Sequence, residues 1–349
     1  MPNKALFSDP DTRRQVARSG PGNTGVNTGE LDRMKKTICT ITTIGMLLAV
    51  GSAFVAPLHA QTDESSLRVM SYNIHRGGII CNKQPLSQTA KAIQLAKADM
   101  VGIQETRSPK GDTLEDLAKL LGWNHDGGKG SNILTRYEIV ESLKNGVKVK
   151  LDSGKEAYIF NLHLPSHPYQ PYQLLGIRPK WHKHTNDIEF IKTEAEAIEW
   201  AKKARGSVIA ELLEEIRSIP DKDAPVFVVG DFNEPSHRDW TEAAAKSGRH
   251  PIKVAYPTSS AMATAGFGDA YRTIYRDEMK NPGLTWSPKY TVDDPKTHHD
   301  RIDFVYFKGK GFKVSEVKIV GENQENADIV ITPYPSDHRA VVATFTLNK

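Results

Sequence analysis

Cysteine is nearly missing from this chain: its 349 residues contain two, Cys39 and Cys81. Cys39 falls in an N-terminal apolar segment, so Cys81 stands alone in the remainder and no internal disulfide can form there. A lone thiol can be a nucleophile, but a half-buried structural cysteine is the simpler expectation. A charge excess of one sign is missing too. The formal net charge is +4, and residues 1–60 hold seven Lys/Arg against four Asp/Glu. Removing them leaves 39 basic and 38 acidic side chains. There is no chain-wide basic field to hold a nucleic acid, so any polyanion must be bound by a local cluster. Beyond residue 65 the chain shows no internal repeat, low-complexity tract or linker. Its apolar and charged fractions, 38% and 25%, are those of a soluble globular domain.

The one long uncharged run lies near the start. Met34, Lys35 and Lys36 precede residues 37–56, which carry no charge and are most apolar over Ile44–Ala56. A small residue, Ala60, then precedes Gln61. A short basic head, an apolar middle and a small-residue end make a secretory signal peptide over 34–60. Leu58-His59-Ala60 is an imperfect cleavage site, and Phe54-Val55-Ala56 is a weaker one. The run is marginal in length for crossing a bilayer. Cleavage is therefore expected, giving a secreted or periplasmic chain with no stable membrane span; an uncleaved segment would leave it membrane-anchored. Residues 1–33 are polar and aperiodic. They read as a mis-assigned upstream extension, with Met34 the true start, or as a disordered one.

The most informative stretch is Val226-Phe-Val-Val-Gly-Asp-Phe-Asn-Glu234. A short apolar run closed by glycine predicts a buried strand. Its end presents a carboxylate, Asp231, and a carboxamide, Asn233, which extended geometry would place on one face. Gly-Asp and Asn are also ordinary turn residues, so alone the stretch can be a strand running into a turn. Other strands are predicted over 67–73, 99–105, 132–135, 137–150, 157–164, 301–307, 313–321 and 340–347. Helices are predicted over 86–98, 113–121 (with a Thr113/Asp116 capping box), 193–218 (Thr193/Glu196 capping box), 240–246 and 269–279. Residues 256–268 read as a Ser/Thr/Ala-rich loop. Mixed strands and helices over about 285 residues suggest one α/β sandwich domain. Residues 165–192 hold four prolines among aromatic, basic and histidine residues. They read as a surface insertion that can serve as a substrate lid or be merely solvated.

Several strand ends carry polar residues able to converge: Asn73, Glu105, His163, Asp231 with Asn233, and Asp337-His338, with Asp303 inside a further strand. This is the inventory for cleaving phosphate esters. Glu105 and Asp337 offer the hard oxygens a divalent cation prefers. The amides of Asn73 and Asn233 can meet metal or phosphate oxygens without repelling an anion. His338 or Asp231 can activate water, and a histidine base needs an acceptor such as Asp303 to fix its tautomer. Each group alone has a plainer reading as a solvated strand end. Arg107, Arg136 and Arg339 read as ion-pair or surface residues.

Six segments taken together resemble the successive motifs of the endonuclease/exonuclease/phosphatase superfamily. They are S-Y-N-I-H (71–75), G-I-Q-E-T (102–106), N-L-H-L (161–164), G-D-F-N-E (230–234), D-R-I-D-F-V-Y (300–306) and S-D-H-R-A-V (336–341). The resemblance covers residues 66–348. It implies a four-layer sandwich of α/β (α+β) class, with two facing mixed sheets flanked by helices, and Mg²⁺- or Mn²⁺-dependent hydrolysis at one end. It implies Glu105 as central metal ligand with Asn73 beside it and Asp337 near the metal. His163 falls on the phosphate or leaving-group side, Asp231 on the attacking water, and Asn233 on a phosphate oxygen. His338, held by Asp303, acts as base or charge stabiliser; the proton acceptor stays open between Asp231 and His338. Trp286, His298, His299, Arg178 and Trp181 are substrate-side candidates. The expected substrate is a phosphodiester: a nucleic acid, a lipid headgroup or a small molecule. A phosphomonoesterase and a non-catalytic binding module on the same scaffold are the alternatives. A monomer is expected, although no residue pattern speaks to oligomeric state.

Overall fold

The computed structural model describes residues 66–128, 131–178, 188–292 and 294–347. The expected signal peptide (34–60), the extension (1–33) and Trp181 lie outside the described residues.

Two mixed sheets face each other. In the seven-stranded sheet, Ser66–Asn73 runs antiparallel to Ala340–Leu347 on one side and parallel to Met100–Gln104 on the other. In the six-stranded sheet, Val226–Asp231 runs parallel to Glu156–His163 and antiparallel to Asp303–Lys308. The period-two alternation of the edges produces the layers. Leu67, Val69, Met100 and Phe345 point inward and meet Ile159, Phe227, Val229 and Val305 of the other sheet. The outward face of the first sheet, with Met70, Tyr72, Val101 and Ile103, is covered by the helices Leu86–Leu95 and Leu114–Leu121. The outward face of the second, with Tyr158, Phe160 and Val228, packs on Ile209, Leu212 and Ile216 of the helix Glu194–Arg217. The result is helix, sheet, sheet, helix. Burying each of these large side chains contributes roughly 1.5–3 kcal/mol.

Helix Glu194–Arg217 starts where its capping box predicts. Glu196 N donates to Thr193 Oγ1 at 3.2 Å, and Thr193 N donates to Glu196 Oε2 at 2.9 Å. Its buried stripe is Ala197, Ala201, Arg205, Ile209, Leu212 and Ile216. Arg205 is fully buried in that stripe, and each of its three guanidinium nitrogens finds an acceptor. It donates to Pro165 O, Pro168 O and Gln170 Oε1 at 2.8–2.9 Å, and Glu234 Oε2 balances its charge at 3.6 Å.

Four local expectations are corrected. Thr113 does not cap Leu114–Leu121: its hydroxyl donates instead to Thr106 O and Gly77 O, and Asp112 Oδ1 accepts from Leu114 N at 3.0 Å. The segment read as a loop contains the helix Pro257–Thr264, which begins on a proline at its first turn and buries Met262. The helix expected to reach residue 279 ends at Ile274, where Arg272 Nη1 donates to Tyr275 O and Asn281 O and folds the chain back. The described part of the 165–192 insertion is not a solvated flap. It forms the helix Gln170–Leu175, and Tyr169, Gln170, Tyr172 and Gln173 are buried.

Toward the strand ends the inter-sheet core turns polar. Asn161 Nδ2 donates to Ile103 O and Ser131 O at 2.9 and 2.7 Å, while its Oδ1 accepts from Gln104 Nε2 at 2.6 Å. The sheets approach so closely here that a Cβ on Gly102 would lie 2.3 Å from Val229 Cγ2 and 2.6 Å from Asn161 Oδ1. Gly102→Ala is therefore expected to destabilise the fold by about 1–3 kcal/mol. Equilibrium urea denaturation checks this, and an unchanged midpoint would contradict the close approach.

Candidate active site

The central strands of both sheets end at one cleft of about 530 Å³. Glu105, His163, Asp231, Asn233, Trp286, Asp337 and His338 line it together. Strand register explains much of this. Asp231 is paired with His163 on one side and with Asp303 on the other, so all three side chains leave the sheet at one level.

Asn73 and Asp303 lie buried beneath the lining. Asn73 Nδ2 donates to Glu105 Oε1 at 3.1 Å and to Asp231 Oδ2 at 3.0 Å, bridging carboxylates from the two sheets. Its Oδ1 accepts from His75 N at 2.9 Å. Asn73 thus orients the two carboxylates through Nδ2, while one acceptor position of its Oδ1 is taken by the His75 N–H. Burial pushes the Glu105 carboxyl up, but the Asn73 amide and the charges of His338, His163 and His75 outweigh it and hold it below the usual range.

His338 Nδ1 is 3.0 Å from Asp303 Oδ2, and its Nε2 is 3.7 Å from Asp231 Oδ2. Burial, the largest single influence, disfavours the charged ring. The charges of Asp303, Asp231 and Asp337 and the Asp303 hydrogen bond together override it and raise His338 to about 10. Burial also pushes the Asp303 carboxyl up. The pair's proton belongs on His338, because a second carboxylate faces the far side of that ring. His163 Nε2 lies 3.6 Å from Asp231 Oδ2, and His75 Nε2 lies 3.6 Å from Asp337 Oδ2.

Backbone conformation aims several of these groups. His75, Arg76, Glu105 and Asn233 all have positive φ, between 47° and 60°, in the left-handed region non-glycine residues rarely adopt. Such strain clusters at functional sites. The strand ends at Asp231, so Asn233 does not share a face with it by extended geometry. The chain turns instead: Asn233 N donates to Asp231 Oδ1 at 2.9 Å, and Asn233 Nδ2 donates to Leu164 O at 3.0 Å.

The donor set fits a hard divalent cation. Glu105, Asp231 and Asp337 supply carboxylate oxygens in one cleft, and the buried Asp337 Oδ1 has no hydrogen-bond partner.

Trp286 stands in the cleft wall, with Tyr169 and Tyr172 packed on it at 6.0 and 5.9 Å between ring centroids. The other described substrate-side candidates are not brought there. His298 packs against Trp240 and His250 behind the wall, and His299 is buried; neither lines the cleft. Arg178 lies over the Phe190 ring, also outside the lining. Unassigned by motif are His75, Arg76, Tyr169, Tyr172, Lys289 and Tyr290, all in the lining. His75 was findable as the next polar residue after the Asn73 strand end. Lys289 and Tyr290 carried no signal beyond following Trp286.

Opposed mixed sheets that deliver hard oxygens and a carboxylate-held imidazole to one cleft define a class, the metal-dependent phosphoric ester hydrolases, to which this protein belongs. The chain is a member of the endonuclease/exonuclease/phosphatase family, whose model matches residues 70–338. An uncharacterised protein of Caenorhabditis elegans is 29% identical over 310 residues, covering 81% of this chain and 92% of that one. A crystal structure described as an endonuclease/exonuclease/phosphatase from Beutenbergia cavernae is similar at 16% identity and a TM-score of 0.48, covering 81% of this chain and 72% of that one. TDP2 of D. rerio, complexed with a single-strand DNA product, is similar at 18% identity and a TM-score of 0.46, covering 81% and 99%.

In the metal-free protein, the His338 ring is expected to keep its proton through neutral pH and lose it near pH 10. NMR titration of the ring reads this, and a midpoint near 6.5 would contradict it. With the folded value above the ordinary 6.5, the group's contribution to stability is full below about pH 6.5 and is lost as the pH climbs toward about 10. Asp303→Asn should lower the midpoint.

Proposed function

We propose that this chain hydrolyses a phosphodiester by in-line attack of an activated water. The observation that carries this reading is the Asn73-bridged Glu105–Asp231 pair facing His163 and the His338–Asp303 pair across one cleft. Glu105 and Asp337 would hold Mg²⁺ or Mn²⁺, which supplies Lewis-acid polarisation of the phosphoryl oxygen. Asp231 orients the water and takes its proton. Its carboxylate is held in the cleft lining by Asn73 Nδ2 and the Asn233 backbone N–H. His338, cationic beside Asp303, stabilises charge developing on the non-bridging oxygens. Asn233 has one amide hydrogen left after its bond to Leu164 O and donates it to phosphate. His163, half exposed at the rim, serves the leaving group.

Cleft composition favours a diester over a monoester. Among the described residues, the lining carries one arginine and one lysine, Arg76 and Lys289, and no dense basic cluster of the kind that grips a dianion. The wall of Tyr169, Tyr172, Trp286 and Tyr290 offers planar apolar surface to an organic group on the ester. The near-neutral chain argues against a long duplex footprint and for a small molecule, a headgroup or a short single strand.

With Mg²⁺ or Mn²⁺, bis-nitrophenyl phosphate should be cleaved in preference to nitrophenyl phosphate, and EDTA should abolish turnover. Glu105→Ala and His338→Ala should each lower kcat/KM at least about 1,000-fold, and His338→Ala should also lower the melting temperature, because it leaves the buried Asp303 carboxylate unpaired. Full activity in both variants would sink the reading. DNA, RNA, sphingomyelin and inositol phosphates then separate the substrate classes.

We also propose export, on the pattern at 34–60. No helix among the described residues is long and apolar enough to cross a membrane. N-terminal sequencing of the chain expressed from Met34 should find Gln61 first; a chain retained with Met34 intact would refute this.

A further inference from the structure

Behind the aromatic wall, three more ligating side chains meet. His250 Nδ1 lies 3.1 Å from His298 Nε2, and His298 Nε2 lies 3.9 Å from Asp300 Oδ1. The donor atoms of all three residues fall within 4.8 Å of one another. We propose that His250, His298 and Asp300 form a binding site for a divalent transition-metal ion of the zinc class, separate from the hydrolytic centre.

Donor chemistry is the first argument. Two imidazoles and one carboxylate suit a borderline ion such as Zn²⁺, whereas the oxygen-rich cleft suits a hard one. Distance is the second. Ligands at about 2.0–2.1 Å in a tetrahedral shell sit roughly 3.3 Å apart, so the ring nitrogens are placed for a shared ion. The Asp300 carboxylate, 3.9 Å from His298 Nε2 and within 4.8 Å of His250, must move inward by roughly 0.6 Å or more to join the shell. Charge is the third. Asp300 is 3% exposed, and among the described residues its side chain accepts from two neutral groups, Trp240 Nε1 at 2.8 Å and Tyr169 Oη at 2.6 Å. Among the described residues, its one ion-pair contact is His298 at 3.9 Å. A buried carboxylate without an arginine or lysine is costly, and a bound cation removes that cost. A plain hydrogen bond between the rings accounts for the 3.1 Å contact but leaves this hydrogen-bonded carboxylate without a lysine or arginine partner among the described residues.

The surroundings resemble the outer shell of a metal site, in which ligating carboxylates are themselves hydrogen-bonded. Trp240 stacks on His250 at 4.1 Å and 11°, fixing that ring. His298 is 17% exposed and forms the open side. On binding, whichever ring donates in the metal-free pair moves its proton to its other nitrogen, so no net proton is released from neutral rings. The ion would also stiffen the substrate wall. Asp300 Oδ2 holds Tyr169, and the Asp300 backbone exchanges hydrogen bonds with Trp286 at 3.0 and 3.1 Å.

The test uses the full chain carrying Glu105→Gln and Asp337→Asn, which removes the two carboxylates assigned to the cation of the hydrolytic cleft and makes the result independent of hydrolysis. After chelator treatment, calorimetry with Zn²⁺ should find one equivalent bound, and Co²⁺ should give the visible bands of a four-coordinate site. Adding His298→Gln should weaken Zn²⁺ binding at least about 100-fold and abolish those bands. X-ray absorption of the Zn²⁺-loaded chain, which needs no third substitution, should report two imidazole ligands. Absence of Zn²⁺ binding, unchanged binding in the His298→Gln chain, or a zinc shell without imidazole would each overturn the proposal.

Discussion

One carboxamide holds the reaction end of this molecule together. Glu105 comes from one sheet and Asp231 from the other, and both must stay ionised at close range. Asn73 reaches both with the hydrogens of a single Nδ2. A lysine or arginine there would neutralise the pair but would compete with a cation; a neutral donor lowers the repulsion and leaves the charge available. Asn73 is itself pinned, with its Oδ1 taken by His75 N and its carbonyl by the Ser336 hydroxyl at 2.6 Å. Ser336 Oγ in turn accepts from His338 N at 3.1 Å. The bridge therefore sets the spacing of the sheets at the cleft, and the Gly102–Asn161 contact sets it one layer deeper.

The molecule keeps charge and apolar surface in separate places. The floor of the cleft is carboxylate, amide and imidazole, delivered by strand ends of both sheets. The wall is aromatic and comes from segments outside the sheets: Tyr169 and Tyr172 from the insertion, Trp286 and Tyr290 from the loop before Asp300. The two are linked at Glu234, which follows Asn233 and balances the buried Arg205. Thr258 N and Oγ1 donate to the other Glu234 oxygen, each at 2.8 Å.

The strands and the floor were legible because apolar runs and polar strand ends are local signals. Val226–Asp231 is buried throughout, as its run of valine and phenylalanine indicates, and strand register then brings His163 and Asp303 to Asp231. Departures arose where a side chain had two possible partners. Thr113 can cap a helix, but it is spent on the carbonyls of Gly77 and Thr106. Asn233 follows Asp231 by two residues, yet its left-handed φ, not strand alternation, turns it into the cleft. The 257–264 segment carries Ser and Thr that favour loops in isolation, and packing of Met262 decides for helix. His298 and His299 sit beside Asp300 in sequence, but the Trp286–Asp300 pairing turns them behind the wall. No local pattern encodes which side of a strand pairing a loop will take.

Arg205 reads the insertion almost blindly. Two of its three acceptors, Pro165 O and Pro168 O, are main-chain carbonyls that any residue presents, and only Gln170 is recognised by its side chain. A loop gripped by its backbone keeps its anchorage while its side chains drift. The cleft floor and this part of its wall therefore hang on separate interactions, strand pairing for the one and a grip on main-chain carbonyls for the other. A change of side chain at Pro165 or Pro168 leaves the carbonyls Arg205 holds in place and does not touch the strand pairing that positions Asp231, His163 and Asp303.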